Sequence, residues 1–224
     1  MNDAALGPGR HTKVRRLPEK ARYDESTVNA VLDEGRFCTI AGTVDGLAMA
    51  LPTLHAREGR TLYLHGSQSN AILKSVLVAG RGSLAVTIYD GLRLARSGFE
   101  SSIAYRSVVV VGPVHQVDDE VEKARILDLF VDAIVPGRAR EVRAMTAQEL
   151  RLTMVLALSI EEASAKVSSG PTDDPDEDKE LPIWSGVVPA RLHFSDPVPS
   201  DDGAMASATI GLPDSLRRLM EETA

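Results

Sequence analysis

Between Leu92 and Gly112 the chain reads LRLARSGFESSIAYRSVVVVG, a serine-rich polar stretch that passes through Tyr105-Arg106-Ser107 into four consecutive valines. β-Branched side chains lose rotamer freedom in a helix and pack well on a pleated surface, so this run demands a strand. A strand needs neighbours, and the rest of the sequence supplies them. Residues 37–44 and 47–56 read as two strands joined at Asp45-Gly46, a tight-hairpin pair. Residues 62–65, 83–89, 107–117, 152–160 and 163–167 read as further strands. Helices interrupt them only briefly. One starts at Asp24 or Ser26 and ends at Gly35, another follows His65-Gly66-Ser67 with Ile72, Leu73, Val76 and Leu77 as its apolar stripe, and a third runs from the acidic 118–120 to Pro136-Gly137. The economical architecture is mainly β (α+β), an antiparallel barrel with a few helices around it.

Three segments fall outside that pattern. Residues 1–20 read as a flexible arm broken by Gly7, Pro8, Gly9 and Pro18, ahead of one domain over 21–194. Residues 168–180, SSGPTDDPDEDKE, are too acidic to order themselves and read as an exposed loop. Residues 195–224 read as a tail whose Leu212, Leu216, Leu219 and Met220 mark one side of a short helix needing a surface to dock on.

Composition excludes several classes of function. With 25 Lys and Arg against 32 Asp and Glu the net charge is −7, which disfavours a nucleic-acid surface. Arg10, Lys13, Arg15 and Arg16 make a local basic patch that reads as a solvated tail. The one cysteine, Cys38, allows no internal disulfide and fits a reducing compartment. No apolar run approaches the ~18 residues of a membrane span, and the first ten residues lack a signal-peptide core, so the expectation is a cytoplasmic protein without membrane contact. There is no nucleophilic triad, no metal-ligand spacing, and no GxxxxGK or GxGxxG phosphate loop. Redox chemistry, if any, would belong to a bound cofactor.

Four motifs then carry a resemblance. LYLHGS with a helix after it, YRSVVVVG, VPGRAR and LPIWSGVVP, in this order over roughly residues 15–189, resemble the pyridoxamine 5'-phosphate oxidase-related flavoproteins, in the branch that contains the nitroimidazole reductases. The resemblance implies an antiparallel split β-barrel of about six to eight strands, a homodimer, and FMN at the dimer interface. It implies a flavin-dependent oxidoreductase passing electrons from a nicotinamide donor to a small organic acceptor.

Residue by residue, the resemblance puts His65 beside the flavin as the catalytic candidate, where a histidine can donate a hydrogen bond, move a proton or ligate haem iron. A strand-end histidine bonded to a backbone carbonyl is the structural alternative. Gly66, Ser67, Asn70 and Lys74 would surround the phosphate at the helix start. Pro52 and Thr53 would lie under the isoalloxazine, Tyr105 and Arg106 would supply a ring and an anion ligand, and Trp184 would cover the flavin. The usual pattern has a serine-arginine pair where this chain has Asn70-Ala71, a histidine at Thr39, and two histidines at Glu100 and Ser101. These departures leave a less cationic pocket. They keep open a haem-binding protein using His65, or a cofactor-free barrel acting as a binding module or pathway enzyme.

Overall fold

A computed structural model describes residues 6–200 and 210–223. The strands are β1 (Ala21–Arg22), β2 (Phe37–Val44), β3 (Leu47–Leu54), β4 (Ala56–Glu58), β5 (Thr61–Ser67), β6 (Arg81–Leu94), β7 (Ser102–Gln116), β8 (Thr153–Ser159), β9 (Glu162–Ser168) and β10 (Gly186–Pro189). The helices are α1 (Glu25–Glu34), α2 (Ala71–Ala79), α3 (Glu120–Ile134), α4 (Ala147–Leu152) and α5 (Asp214–Thr223). Every strand pairing is antiparallel, along the path β3-β2-β6-β7-β8-β5-β4, with β10 added to β6, β9 to β7 and β1 to β9. This is a split barrel whose sheet does not close. The strand count rises to ten because β1, β4 and β10 have only two, three and four residues, too short for an alternation signal.

Alternation along the strands divides the interior in two. On β5, Leu62 and Leu64 point to one side and Tyr63 to the other; on β8, Leu156 and Leu158 oppose Val155 and Ala157. The first side makes the barrel core with Ile40, Leu84, Val86, Val108 and Val110, sealed by Val28, Val31 and Leu32 of α1 and Ile72, Leu73 and Val76 of α2. The second side packs under Ile126, Leu127 and Phe130 of α3. Each of α1 to α4 begins on a side-chain cap: Asp24 accepts from Thr27, Asn70 from Leu73 and Asp119 from Glu122, while Thr146 and Glu149 cap α4 reciprocally.

The expected single strand over residues 47–56 breaks at His55, where the chain leaves β2 as partner and β4 joins β5. β6 and β7 are longer than expected, at 14 and 15 residues, so Leu92–Leu94 and Ser102–Tyr105 belong to the sheet and not to a polar loop. Near the middle of β6 the register slips between Tyr89 and Gly91. Gly91 has φ 143°, and a Cβ there would stand 2.2 Å from the Val188 carbonyl oxygen, so only glycine lets β10 lie this close.

The N-terminal arm is a correction. From Leu6 onward it is packed: Leu6 is buried in the barrel core, its amide donates to Tyr23 O at 2.9 Å and its carbonyl accepts from Ala163 at 3.2 Å. His11 then pairs with Glu162 and the Val14 amide donates to the Tyr23 hydroxyl. The glycines and prolines stop regular structure without preventing adhesion to the β9 flank. The acidic stretch 168–180 is mostly exposed, but Asp174 is drawn inside, accepting from the Arg96 amide at 2.7 Å, the Arg96 guanidinium at 2.9 Å and the Thr172 hydroxyl at 3.1 Å. Those donors hold its carboxyl below the usual range, the Arg96 amide first among them. At the far end α5 finds its docking surface: Ser215 is buried and donates from both its amide and hydroxyl to Glu141, which caps the helix from outside. Residues 201–209 of the expected tail lie outside the described residues.

No helix among the described residues is long and apolar enough to cross a membrane. Nor does any group of three or more metal-ligating side chains occur among them.

Candidate functional site

β5 carries the residues on which the site turns, and strand alternation sorts them. His65 shares the face of Tyr63, so it points under α3, where its ring meets Phe130 edge-on at 4.3 Å between centroids. Its Nδ1 is buried with no hydrogen-bond partner, and desolvation lowers its pKa, so the ring is neutral. A neutral imidazole with a bare buried nitrogen fits a metal or haem-iron ligand. That nitrogen makes no bond to a backbone carbonyl.

Gly66 faces the other way, against α2: a Cβ there would come 2.9 Å from Leu73 Cδ1 and 3.4 Å from Asn70 Nδ2. The Ser67 and Ser69 hydroxyls bond each other at 2.9 Å, and Asn70 Oδ1 accepts the Leu73 amide at 3.0 Å. The Ala71 and Ile72 amides precede the first intrahelical bond, so the start of α2 offers free donors and the positive end of the helix dipole. A cavity of about 520 Å³ joins Asn70, Ala71 and Ile72 to Leu47, Met49 and Leu51 of β3. Thr53 shares the β3 face of Met49 and Leu51, whereas Pro52 lies on the reverse, cross-strand from Thr39. Lys74 is exposed on α2, one turn beyond Asn70. This end of the molecule can accept a phosphate on amides and hydroxyls, with a point charge at Lys74 and no guanidinium fork at Ala71.

Arg106 and Trp184 stand elsewhere. The Arg106 guanidinium is gripped by two carboxylates, Asp90 at 2.9 and 2.7 Å and Glu34 at 2.7 Å for the longer of its two bonds, and these keep it firmly charged. It is a clamp between α1, β6 and β7, with four of its five N–H donors engaged. Tyr105 lies on the opposite face of β7, directly across from Tyr89. Trp184 is 65% exposed, with its ring against Gly186. Within one chain, therefore, Gly66, Ser67, Asn70 and Lys74 cluster around the start of α2, Thr53 shares only the strand face of Met49 and Leu51, and His65, Arg106 and Trp184 each face other partners.

Sequence reasoning passed over His55. It is buried, with Nε2–H donating to the Leu32 carbonyl at 2.8 Å and Nδ1 left bare. It borders a cavity of about 220 Å³ between the ends of α1 and α3, which Phe130 also lines. Burial lowers its pKa as it does that of His65. A depressed folded-state pKa means that the unfolded chain binds protons first, so stability is lost as pH falls below the unfolded value of about 6.5. Thermal unfolding midpoints should fall from pH 7 to pH 5, with a slope of up to about 1.4 kcal/mol per pH unit for each histidine. His55→Gln should flatten that slope; an equal slope in the variant would remove His55 from the account.

Buried arginines were also missed. Arg93, 5% exposed, donates to Pro171 O, to Asp173 at 3.2 Å and to Ser168 at 3.4 Å, tying the acidic stretch to β6. Cys38 is buried and its thiol is pushed up to about 12 by desolvation, which makes it a core residue and not a nucleophile.

Comparison with known proteins places this geometry. The profile of the family described as pyridoxamine 5'-phosphate oxidase matches residues 24–167. Among solved structures, the flavocytochrome Anf3 from Azotobacter vinelandii is 34% identical, with a TM-score of 0.87 over 94% of this chain and 97% of that one. An FAD and haem binding protein from Mycobacterium smegmatis is 35% identical, with a TM-score of 0.82 over 89% of this chain and 96% of its own. A putative 5-nitroimidazole antibiotic resistance protein from Bacteroides thetaiotaomicron shares the fold at 18% identity, with a TM-score of 0.56 over 66% of this chain and 86% of that one. The comparison with curated proteins gives no match. By the family profile, by two relatives above 30% identity and by the split barrel itself, this chain belongs to the pyridoxamine 5'-phosphate oxidase family.

Proposed function

We propose that this protein is a flavin-dependent oxidoreductase of the pyridoxamine 5'-phosphate oxidase-related type, taking electrons from a nicotinamide donor to a small organic acceptor. The observation that carries the reading is the start of α2, where free amides, Ser67, Ser69 and Asn70 open onto the apolar strand β3. A flavin phosphate fits the amides, and the ring system fits the row Leu47, Met49 and Leu51. Bound flavin, FMN or FAD, would supply the two-electron chemistry. The chain's own part is to hold the phosphate, to shield the ring with apolar side chains and to fix its direction. Light scattering should give a homodimer, because Ile103 and Val109 form an exposed apolar patch on one face of β7 that a second copy can cover. A monomer in solution would contradict a flavin site shared between two copies.

The missing fork at Ala71 gives a direct test. Ala71→Arg should tighten FMN by roughly ten- to a hundredfold, the scale of one charged hydrogen-bond pair. Isothermal titration measures it. No gain would mean that the phosphate does not sit at the start of α2.

A second reading adds to the first: His65 as a haem ligand, supported by its bare, neutral Nδ1 beside Phe130. Two relatives of about one-third identity, a flavocytochrome and an FAD and haem binding protein, support a protein that carries both groups. Reconstitution with haem, followed by its absorption spectrum in the native and His65→Ala proteins, tests this reading separately from flavin binding.

A further inference from the structure

A large cavity that the flavin reading leaves unused shares no lining residue with the one at the start of α2. It has a volume of about 730 Å³, within the range of small-molecule sites, and is walled by the α1–β2 connection, by the middle of β6 beside its register slip, by Arg106 of β7 and by residues 189–192 at the exit of β10. The Ala190 amide donates to the Asp90 carbonyl at 2.9 Å, which fixes that last wall.

Its charges do not cancel. Glu34 and Asp90 are both spent on Arg106. Arg36 donates to the neutral Ile134 carbonyl and lies 5.6 Å over the Phe194 ring, and no carboxylate among the described residues pairs with it. Arg191 has no ion-pair partner among the described residues. Two carboxylates against three guanidiniums leave the cavity at +1 in a chain of −7. Two aromatic rings also line it while remaining open to solvent, Phe37 at 70% and Tyr89 at 49% exposure. Exposed rings beside unpaired guanidiniums offer stacking to a flat body and ion pairs to an acid.

We propose that this cavity is a second ligand site, separate from the start of α2, for a flat organic anion: an aromatic or heteroaromatic ring bearing a carboxylate or phosphate. Phe37 and Tyr89 hold the ring, and Arg191 with Arg36 holds the acid. Arg106 is the rigid floor, its orientation set by Glu34 and Asp90. A reduced nicotinamide dinucleotide and a simple aromatic acid share the required chemistry.

Isothermal titration of the whole chain with NADPH and with 1-naphthoate, with flavin content measured in every sample, tests the proposal. At least one probe should bind saturably and weaken as salt is raised. Arg191→Glu should weaken it at least tenfold and Phe37→Ala severalfold, with flavin content unchanged. NADPH alone binding would identify the ligand as a dinucleotide, and both binding would identify an aromatic acid more broadly. The proposal is overturned if neither probe binds, if Arg191→Glu and Phe37→Ala leave affinity unchanged, or if binding disappears only in samples that have lost flavin. Both side chains are exposed, so neither substitution threatens the fold.

Discussion

Gly112→Ala should lower the stability of the fold by about 3 kcal/mol or more, the scale of a steric clash at a rigid backbone. A Cβ at this position would stand 1.7 Å from the Ser159 carbonyl oxygen and 2.9 Å from the Ser159 carbonyl carbon. The reason is topological. β7 pairs with β9 up to Val111 and with β8 from Val114 onward, so Gly112 is where the strand passes from one partner to the other beneath the β8–β9 turn. Backbone, unlike the end of a flexible side chain, cannot step aside without opening both pairings. The midpoint of thermal unfolding should fall by roughly 6–12 °C. Gly98→Ala is the control, since nothing lies within 4 Å of its Cβ position. Equal midpoints for Gly112→Ala and the native chain would show that the crossing is looser than described.

His65→Ala carries the other large effect, on cofactor content. Its Nδ1 is buried without a partner, so the ring is held in place by packing on Phe130 and by its neighbours on β8. If His65 holds haem iron, removing it should reduce bound haem after reconstitution to less than roughly a tenth of the native content, because no other histidine shares its position. Flavin affinity should change far less, since the start of α2 faces the other side of β5. The haem content is read from its absorption after extraction, and the flavin content from acid release. Unchanged haem would assign His65 to packing against α3 alone.

The sheet was legible because its strands alternate or run in valines, and because Asp45-Gly46, Asp24 and Asn70 are local turn and cap signals. The side of β5 on which His65 stands was also within reach, since Tyr63 two residues earlier has the same parity. What escaped was non-local. Arg106 looks like a free anion ligand beside Tyr105, but its carboxylates come from 16 and 72 residues away, and no spacing rule pairs Arg106 with Asp90 and Glu34. The adhesion of Leu6 to β9 spans the length of the chain, and the Gly7–Gly9 run signals irregular backbone without saying whether that backbone docks. α4 had a legible signal in Thr146 and Glu149, but six residues are too few for a periodic stripe. The cavity with Arg36 and Arg191 joins a helix end, a strand bulge and the exit of β10, three places that only the fold brings together.

The most direct test of the flavin reading is the absorption spectrum of the freshly purified protein, with the flavin released by acid, identified and counted per chain. The account predicts a flavin spectrum, or micromolar binding of added FMN or FAD where the flavin has been lost. A colourless protein that ignores both nucleotides would contradict it.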